Sequence, residues 1–210
     1  YSNLDDMMVL TENLIKNATS LISKNFKIIF NDIKIDFSKK FEVYDFFKIL
    51  HKISKKDFSI MTTEEIYEFL DGNDITGDWK DLNKKNKGKL LDKAFSHFVE
   101  PELINPTFII NYPLDLSPLA KKSKDNDQIV ERFELFIGGM EIANAFSELN
   151  DPLDQKARLE KQSILRNLGD EEAQTLDMDF IEAVEYGMPP TGGVGLGIDR
   201  LVMILLSQSS

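Results

Sequence analysis

The 210-residue chain contains no cysteine, which excludes disulfide bonds, thiolate zinc sites and cysteine nucleophiles. A reducing compartment fits this absence, although the absence alone does not decide the compartment. Long apolar runs are also missing, because the longest one, Leu201 to Leu206, is far too short to span a bilayer. The first residues hold neither a basic nor an apolar stretch, so we do not expect a secretory signal peptide.

Basic residues are scarce relative to acidic ones, with 25 Lys and Arg against 36 Asp and Glu and a net charge of −11. A chain this acidic does not hold nucleic acid through a general basic surface, although a local patch remains open. The densest local patch contains five lysines between Lys80 and Lys89. Such a run indicates either a solvated helix or loop, or a patch that faces RNA.

The remaining composition, 42% hydrophobic and 29% charged, is that of a globular chain and excludes disorder or collagen. The length allows one or two domains. Helical spacing covers residues 4–22, with Asn3 as a candidate N-cap, and 26–37 has the pattern of a small hairpin. Several short helices are expected over 45–100, and strands with inserted helices follow. This order predicts an α+β fold.

A second hairpin is predicted at residues 131–148. Gly138-Gly139 stands between alternating apolar residues, which is typical of a two-residue hairpin turn. Regular alternation from that turn pairs Glu134 with Ala143 across the two strands. The turn therefore sets the register of every side chain that follows it.

In this register, Glu134 and Glu141 lie on one face as diagonal neighbours, roughly 7–8 Å apart at the backbone. Two such carboxylates suit Mg²⁺, which is commonly held by one or two carboxylates together with substrate phosphates. They also fit the alternative of two exposed glutamates on a wet sheet face. Regular alternation puts Asn144 on the other face, so a pocket shared with Glu141 requires a β-bulge, most simply at Ile142-Ala143.

Three further residues on the second strand alternate and are expected to share a face, namely Asn144, Phe146 and Glu148. An amide, an aromatic wall and a carboxylate together suit a cationic amine, with Glu148 as the counter-charge. The alternative is a polar sheet face that carries one phenylalanine.

The segment TGGVGLGIDR, residues 191–200, differs from a dinucleotide-binding GxGxxG loop because its glycines recur at period two. The glycines expected to form one strand face are Gly193, Gly195 and Gly197. The apolar residues expected to face the core are Val194, Leu196 and Ile198. A strip without side chains lets a flat ligand lie against backbone, and Arg200 suits phosphate contact and stacking on a base. Alternatively, another element approaches the strand closely and Arg200 pairs with an acid.

Together, three segments resemble the lysyl-tRNA synthetases, a family of class II aminoacyl-tRNA synthetases: PTFIINYPLDLSPLA, RFELFIGGMEIANAFSELNDP and GMPPTGGVGLGIDRLVM. The last segment carries the G-x-G-x-G-x-D-R pattern of class II motif 3, and the middle one resembles the lysine-specific form of its region. The resemblance implies part of the class II antiparallel sheet flanked by helices, with a mainly helical insertion. Residues 1–98 would hold the helix after motif 2, a small hairpin and the insertion, and residues 99–210 the C-terminal half of the catalytic core.

The resemblance also implies a role for each matching residue. The residues implied for lysine binding are Asn144, Phe146, Glu148 and Gly195. Those implied for ATP binding are Glu134, Glu141, Gly197 and Arg200. In this scheme Glu134 and Glu141 hold Mg²⁺, and Arg200 is catalytic through contacts with adenine and the γ-phosphate.

The implied activity is activation of L-lysine by ATP to lysyl-adenylate, followed by transfer to the 3′ end of tRNA(Lys). The resemblance further implies a cytoplasmic homodimer whose partners include neither DNA nor membrane. Motif 1, motif 2 and the anticodon-binding OB-fold have no match, and the chain starts at Tyr1 without Met. We therefore expect a C-terminal part of a longer protein, inactive alone.

Two other activities stay open from the sequence. One is a paralogous lysyl-transferase that modifies a protein and shares the same catalytic core. The other is an aspartyl- or asparaginyl-type synthetase, although its substrate would call for a cationic partner in place of Glu148.

Overall fold

A computed structural model describes residues 2–76, 86–167, 169–170 and 173–208. The first elements are α1 (Leu4–Ile22), β1 (Lys27–Phe30), β2 (Ile33–Asp36), β3 (Glu42–Asp45) and α2 (Phe46–Ser54). They are followed by α3 (Thr63–Asp71), α4 (Lys87–Phe98), β4 (Thr107–Pro113) and β5 (Ile129–Ile137). The last elements are β6 (Met140–Ser147), α5 (Pro152–Asn167), α6 (Met178–Glu185), β7 (Gly192–Leu196) and α7 (Ile198–Leu205). One-turn 3₁₀ helices lie at Glu100–Glu102 and Leu114–Leu116.

Helix α1 begins where its sequence predicts. The Asn3 side chain accepts a hydrogen bond from the backbone N–H of Asp6 at 3.0 Å, and the Asp6 carboxylate accepts one from the N–H of Asn3 at 3.1 Å. This reciprocal pair satisfies two N–H groups that the first helical turn leaves without intrahelical partners. The Asn3 cap is therefore confirmed.

The described strands form a five-stranded sheet in the order β3-β4-β5-β6-β7 and a separate β1–β2 hairpin. Strand β3 runs parallel to β4, and the remaining neighbours in the large sheet are antiparallel. Helices and this mixed sheet confirm the predicted α+β class. The boundary that the sequence predicts near residue 98 stays a prediction, since β3 joins the same sheet as the later strands.

The β5–β6 hairpin turns at Gly138 and Gly139, whose φ angles of 62° and 76° are the left-handed conformation that a type I′ turn requires. The two strands do not keep a regular register. Phe136 pairs with Glu141 and Leu135 with Ala143, so Ile142 is an extra residue on β6. The β-bulge demanded at Ile142-Ala143 is therefore present.

The bulge corrects one predicted pairing. Glu134 lies opposite Asn144 and not opposite Ala143, because the extra residue Ile142 advances β6 by one position. Ile142 and Ala143 both pack into the same core, while Glu141 and Asn144 are left on the opposite face. The bulge is thus what brings these two polar residues to one side of the sheet.

Two hydrophobic cores lie on opposite faces of the sheet. On one face, α2, α3 and α4 pack with sheet residues such as Ile109 and Phe136. On the other face, α1, the β1–β2 hairpin and α7 pack against residues such as Phe133 and Leu135. The alternation of β5 side chains explains this division, and it leaves Glu134 on the same face as Phe136.

The lysine-rich segment is described only in part. Lys80, Lys84 and Lys85 lie outside the described residues. Lys87 donates a hydrogen bond to the carbonyl of Met61 at 2.9 Å, and Lys89 forms an ion pair with Asp170 at 2.7 Å. These last two lysines therefore contact protein groups. Across the described part of the chain, no helix combines the length and apolar character needed to cross a membrane.

Candidate active site

A cleft of about 470 Å³ opens between β6, β7 and the start of α7. Among its lining residues are Glu141, Asn144, Gly195, Gly197 and Arg200. Each of them was singled out from the sequence. The other candidates, Glu134, Phe146 and Glu148, extend the same polar face of the sheet beside this cleft. The structure therefore brings the predicted site residues together, and their individual roles stay predictions.

The glycines of β7 lie on this face because of how β7 pairs with β6. Phe146 is opposite Gly193 and Asn144 is opposite Gly195, and directly opposed residues share a face. A Cβ on Gly193 would lie 2.2 Å from the Glu148 carboxylate, far inside van der Waals contact. The missing side chain at Gly193 is thus what makes room for Glu148.

The opposite face of β7 does not match its prediction. Val194 is 41% exposed and Ile198 is 59% exposed, whereas both were expected to face the core. Only Leu196 packs against the core as expected. The reason is that β7 is the last strand of the described sheet, and α1 approaches it near Gly192, away from these two side chains.

Glu148 follows directly after β6 and is partly buried. Its backbone N–H donates to the carbonyl of Thr191 at 2.9 Å, which places the residue at the end of the β6–β7 pair. Burial raises the pKa of its carboxyl group. Within the described ranges, no cationic side chain forms an ion pair with it. The site therefore offers a partly desolvated carboxylate to a cation from outside.

The structure adds Arg132, a residue that the sequence interpretation missed. Its guanidinium donates to the Glu134 carboxylate through Nη2 and to Asn144 Oδ1 through Nε at 3.0 Å. Its Nη1 donates to the Leu116 carbonyl at 2.9 Å and to Ser117 Oγ at 2.8 Å. A signal was present, because Arg132 and Glu134 are two positions apart on one strand and must share a face.

Tyr112 is the second missed residue. Its hydroxyl donates to the other carboxylate oxygen of Glu134 at 2.7 Å, and its ring lies 4.7 Å from the Arg132 guanidinium carbon. Burial, with Glu134 beside it, raises the pKa of Tyr112 well above its usual range, so the hydroxyl keeps its proton. No sequence pattern indicated this contact, because it depends on the β4–β5 pairing.

Opposing influences act on the pKa of the Glu134 carboxyl group. Burial raises the pKa of Glu134 to about 7, although the Arg132 guanidinium and the Tyr112 hydroxyl both favour the charged form. The nearby negative charge of Glu141 raises it further. On the outer side, Arg200 donates to the Glu141 carbonyl at 2.8 Å, and its Nη1 lies 3.8 Å from the Glu141 carboxylate.

The carboxylates of Glu134 and Glu141 suit a divalent cation whose other ligands include phosphate oxygens. The two carboxylates repel each other across the same face, and a cation between them would relieve that repulsion. Among the described residues, no group of three or more histidines and carboxylates could enclose a metal ion. A cation held here would therefore need further oxygen ligands from substrate or water, as is usual for Mg²⁺.

The raised pKa of Glu134 predicts a pH-dependent stability in the absence of divalent cations. The carboxyl has a reference pKa of 4.5, so between pH 4.5 and 7 the folded state holds its proton more tightly than the unfolded chain. The contribution to the free energy of unfolding is therefore present below pH 4.5. It is lost, by about 3 kcal/mol, as the pH rises through 7.

Thermal unfolding of the whole protein between pH 5 and 8, with chelator present, measures this dependence. Because other carboxyl groups also titrate, the expected result is a difference, in which Glu134→Gln loses less stability with rising pH than the wild type. Glu160→Gln, at an exposed position on α5, is the matched control and should follow the wild-type curve. Identical curves for Glu134→Gln and the wild type would contradict the assignment.

Comparisons with known proteins show which family the chain resembles. A family model described as tRNA synthetases class II (D, K and N) matches residues 1–210. The chain is 45% identical over 210 residues to the lysine–tRNA ligase of Methanoculleus marisnigri, covering 100% of this chain and 41% of that relative. It is 44% identical over 208 residues to the lysine–tRNA ligase of Thermosipho africanus, covering 99% and 40% respectively. It is also 44% identical over 211 residues to that of Leuconostoc mesenteroides, covering 100% and 42%.

The chain thus spans about two fifths of the length of these curated relatives. The similarities confirm the resemblance to lysyl-tRNA synthetases that the three sequence segments indicated. Because the family model covers the whole chain, this protein belongs to the class II tRNA synthetases (D, K and N).

Proposed function

We propose that the whole protein is a lysine–tRNA ligase, which activates L-lysine with ATP and Mg²⁺ and transfers the lysyl group to tRNA(Lys). The observation that carries this proposal is the Glu148 carboxylate, partly buried, without an ion-pair partner in the described chain, and seated over the bare backbone of Gly193. A substrate with a terminal ammonium supplies the missing charge. The lysine–tRNA ligases that the chain resembles support the same choice.

The proposed lysine pocket is formed by Asn144, Phe146, Glu148 and Gly195. Glu148 binds the side-chain ammonium, and the Phe146 ring forms a wall for the methylene chain. The oxygen of the Asn144 amide is already taken by Arg132, so its nitrogen is the group left to donate to an acceptor on the ligand. Gly195 leaves the backbone bare beneath the substrate.

This pocket predicts that Gly193→Ala weakens lysine binding by displacing Glu148. The added Cβ would lie 2.2 Å from the carboxylate, so the side chain must rotate away. We expect the KM for lysine to rise about tenfold and the KM for ATP to stay within twofold. The control is the Gly193→Ala/Glu148→Gln double variant, in which alanine should add little to the effect of glutamine. An equal tenfold effect on both backgrounds would contradict the mechanism.

The proposed ATP end is formed by Glu134, Glu141, Gly197 and Arg200. When bound, Mg²⁺ would neutralise phosphate charge between Glu134 and Glu141. Arg200 is held by the Glu141 carbonyl, so its guanidinium is positioned at the cleft before a nucleotide enters. The contribution of these side chains is positioning and charge stabilisation, since no covalent enzyme intermediate is required.

The proposed reaction has two steps. The lysine carboxylate attacks the α-phosphorus of ATP, the bond to the bridging oxygen breaks, and pyrophosphate leaves. A 3′-terminal ribose hydroxyl of tRNA(Lys) then attacks the activated carbonyl, the hydroxyl proton is released, and AMP leaves with the bonding electrons. Glu148 has no part in bond making, and its role is to select a substrate whose ammonium lies at the right distance from the reacting carboxylate.

The remaining features of the proposal concern the whole protein. We assign residues 1–98 to the helix after motif 2, the small hairpin and the helical insertion, and residues 99–210 to the C-terminal half of the catalytic core. A homodimer acting in the cytoplasm, with ATP, L-lysine and tRNA(Lys) as partners, fits the family to which the chain belongs.

ATP–pyrophosphate exchange by the whole protein, measured with each amino acid in turn, tests the proposal. Lysine alone should support rapid exchange, and the same protein should charge tRNA(Lys). Exchange with aspartate or asparagine would replace the proposal with an aspartyl- or asparaginyl-type synthetase. Lysine-dependent exchange with lysylation of a protein and no charging of tRNA would point to the paralogous transferase.

A further inference from the structure

We propose that Arg132 is a positioning residue that links the two ends of the site, holding the Glu134 carboxylate at the nucleotide end and the Asn144 amide at the lysine end. The inference rests on the proposed function, since it assumes that these two residues face Mg²⁺–ATP and lysine respectively. Arg132 itself need not touch either substrate.

The argument begins with the number of bonds on one guanidinium. Arginine has five N–H donors in a fixed plane, and Arg132 engages acceptors from all three of its nitrogens. Nε is bonded to Asn144 and Nη2 to Glu134, so the two residues are held by neighbouring donors of one rigid group. A shift of either residue is therefore transmitted to the other.

The guanidinium is in turn anchored by the protein. Nη1 is bonded to the Leu116 carbonyl and Ser117 Oγ, which lie at the end of the one-turn helix after β4. The guanidinium lies over the Tyr112 ring, with its carbon 4.7 Å from the ring centre. The Arg132 side chain is only 13% exposed, so bulk water does not compete for these bonds. These contacts hold the Arg132 guanidinium in one orientation, from which it bonds both Glu134 and Asn144.

Replacing Arg132 with a lysine side chain keeps the positive charge but loses the planar, forked set of N–H donors. A single ammonium can stay with Glu134, yet it cannot also hold Asn144, Leu116 and Ser117 in the same plane. In the wild type, we expect a bound Mg²⁺–ATP analogue to tighten lysine binding about fivefold, because the ordered Glu134 fixes Asn144 through Arg132. In Arg132→Lys, this coupling should fall to less than twofold.

The test measures binding without turnover. Calorimetry gives the Kd of L-lysine for the whole protein, with and without Mg²⁺ and a non-hydrolysable ATP analogue. We expect Arg132→Lys to weaken lysine binding about tenfold and to reduce the dependence on the analogue to less than twofold. In the Asn144→Ala background, Arg132→Lys should change the lysine Kd less than twofold, because the residue through which it acts is gone.

Ile66→Ala controls for general destabilisation, since Ile66 is fully buried in α3 among the helices. It should lower the Tm while leaving the coupling intact. A Tm loss in Arg132→Lys with wild-type lysine Kd and coupling would overturn the linking role. A wild-type protein that binds no lysine would instead overturn the proposed function, and the linking role with it.

Discussion

Arg200→Ala is expected to lower lysine-dependent ATP–pyrophosphate exchange by about a thousandfold or more in the whole protein. An arginine that stabilises the negative charge on nucleotide phosphates in the transition state is worth about 10³–10⁵ in rate in other nucleotide enzymes. Arg200 is positioned for this task because its Nη1 donates to the Glu141 carbonyl at 2.8 Å and lies 3.8 Å from the Glu141 carboxylate, and its side chain lines the cleft.

The pattern of constants distinguishes a catalytic from a structural effect of this substitution. Arg200→Lys should retain part of the rate, since it keeps the charge and loses the planar head. The KM for lysine should stay within threefold in both variants. Lys161→Ala removes an exposed positive charge on α5 and serves as the control, with an exchange rate equal to wild type. Exchange by Arg200→Ala within tenfold of wild type would refute the catalytic role.

The second large effect is expected for Glu148→Gln, which should raise the KM for lysine by about 30- to 1000-fold. The substitution keeps the shape and removes the charge, so the ammonium of lysine is left without its counter-ion in a partly buried pocket. Losing one partner of a desolvated ion pair costs about 2–4 kcal/mol, and each 1.4 kcal/mol is a factor of ten.

Kinetic analysis of pyrophosphate exchange under saturating ATP or saturating lysine separates the two constants. The KM for ATP should stay within threefold, because the nucleotide end of the site is formed by other residues. Glu160→Gln, an exposed carboxylate on α5, should leave both constants unchanged. Equal increases in the two constants would show that Glu148 supports the site in general and does not bind the ammonium.

Local chemistry was sufficient to predict many features of this fold. The Asn3 cap and the Gly138-Gly139 turn depend on residues within one turn of the chain. Such features are readable because their causes lie in the sequence window where they occur.

The candidate site was predictable to the extent that strand periodicity decides which residues share a face. Asn144, Phe146 and Glu148 alternate, as do Gly193, Gly195 and Gly197, and the structure places Asn144 opposite Gly195 and Phe146 opposite Gly193. The same rule failed for Val194, because burial depends on which elements cover the strand and not on its own alternation. Regular alternation also paired Glu134 with Ala143 and not with Asn144, because it does not include the extra residue Ile142.

The sequence by itself determined the α+β class, the hairpin turn, the glycine strip and the residues that carry charge, because each follows from short-range conformational preferences. The tertiary structure alone decided that Arg132 also bonds Asn144 and that the Tyr112 hydroxyl donates to the Glu134 carboxylate. These contacts join strands whose separation along the chain gives no local signal. Their geometry is set by sheet register and by the low exposure of Arg132 and Glu134, which makes each of these charges depend on its neighbours.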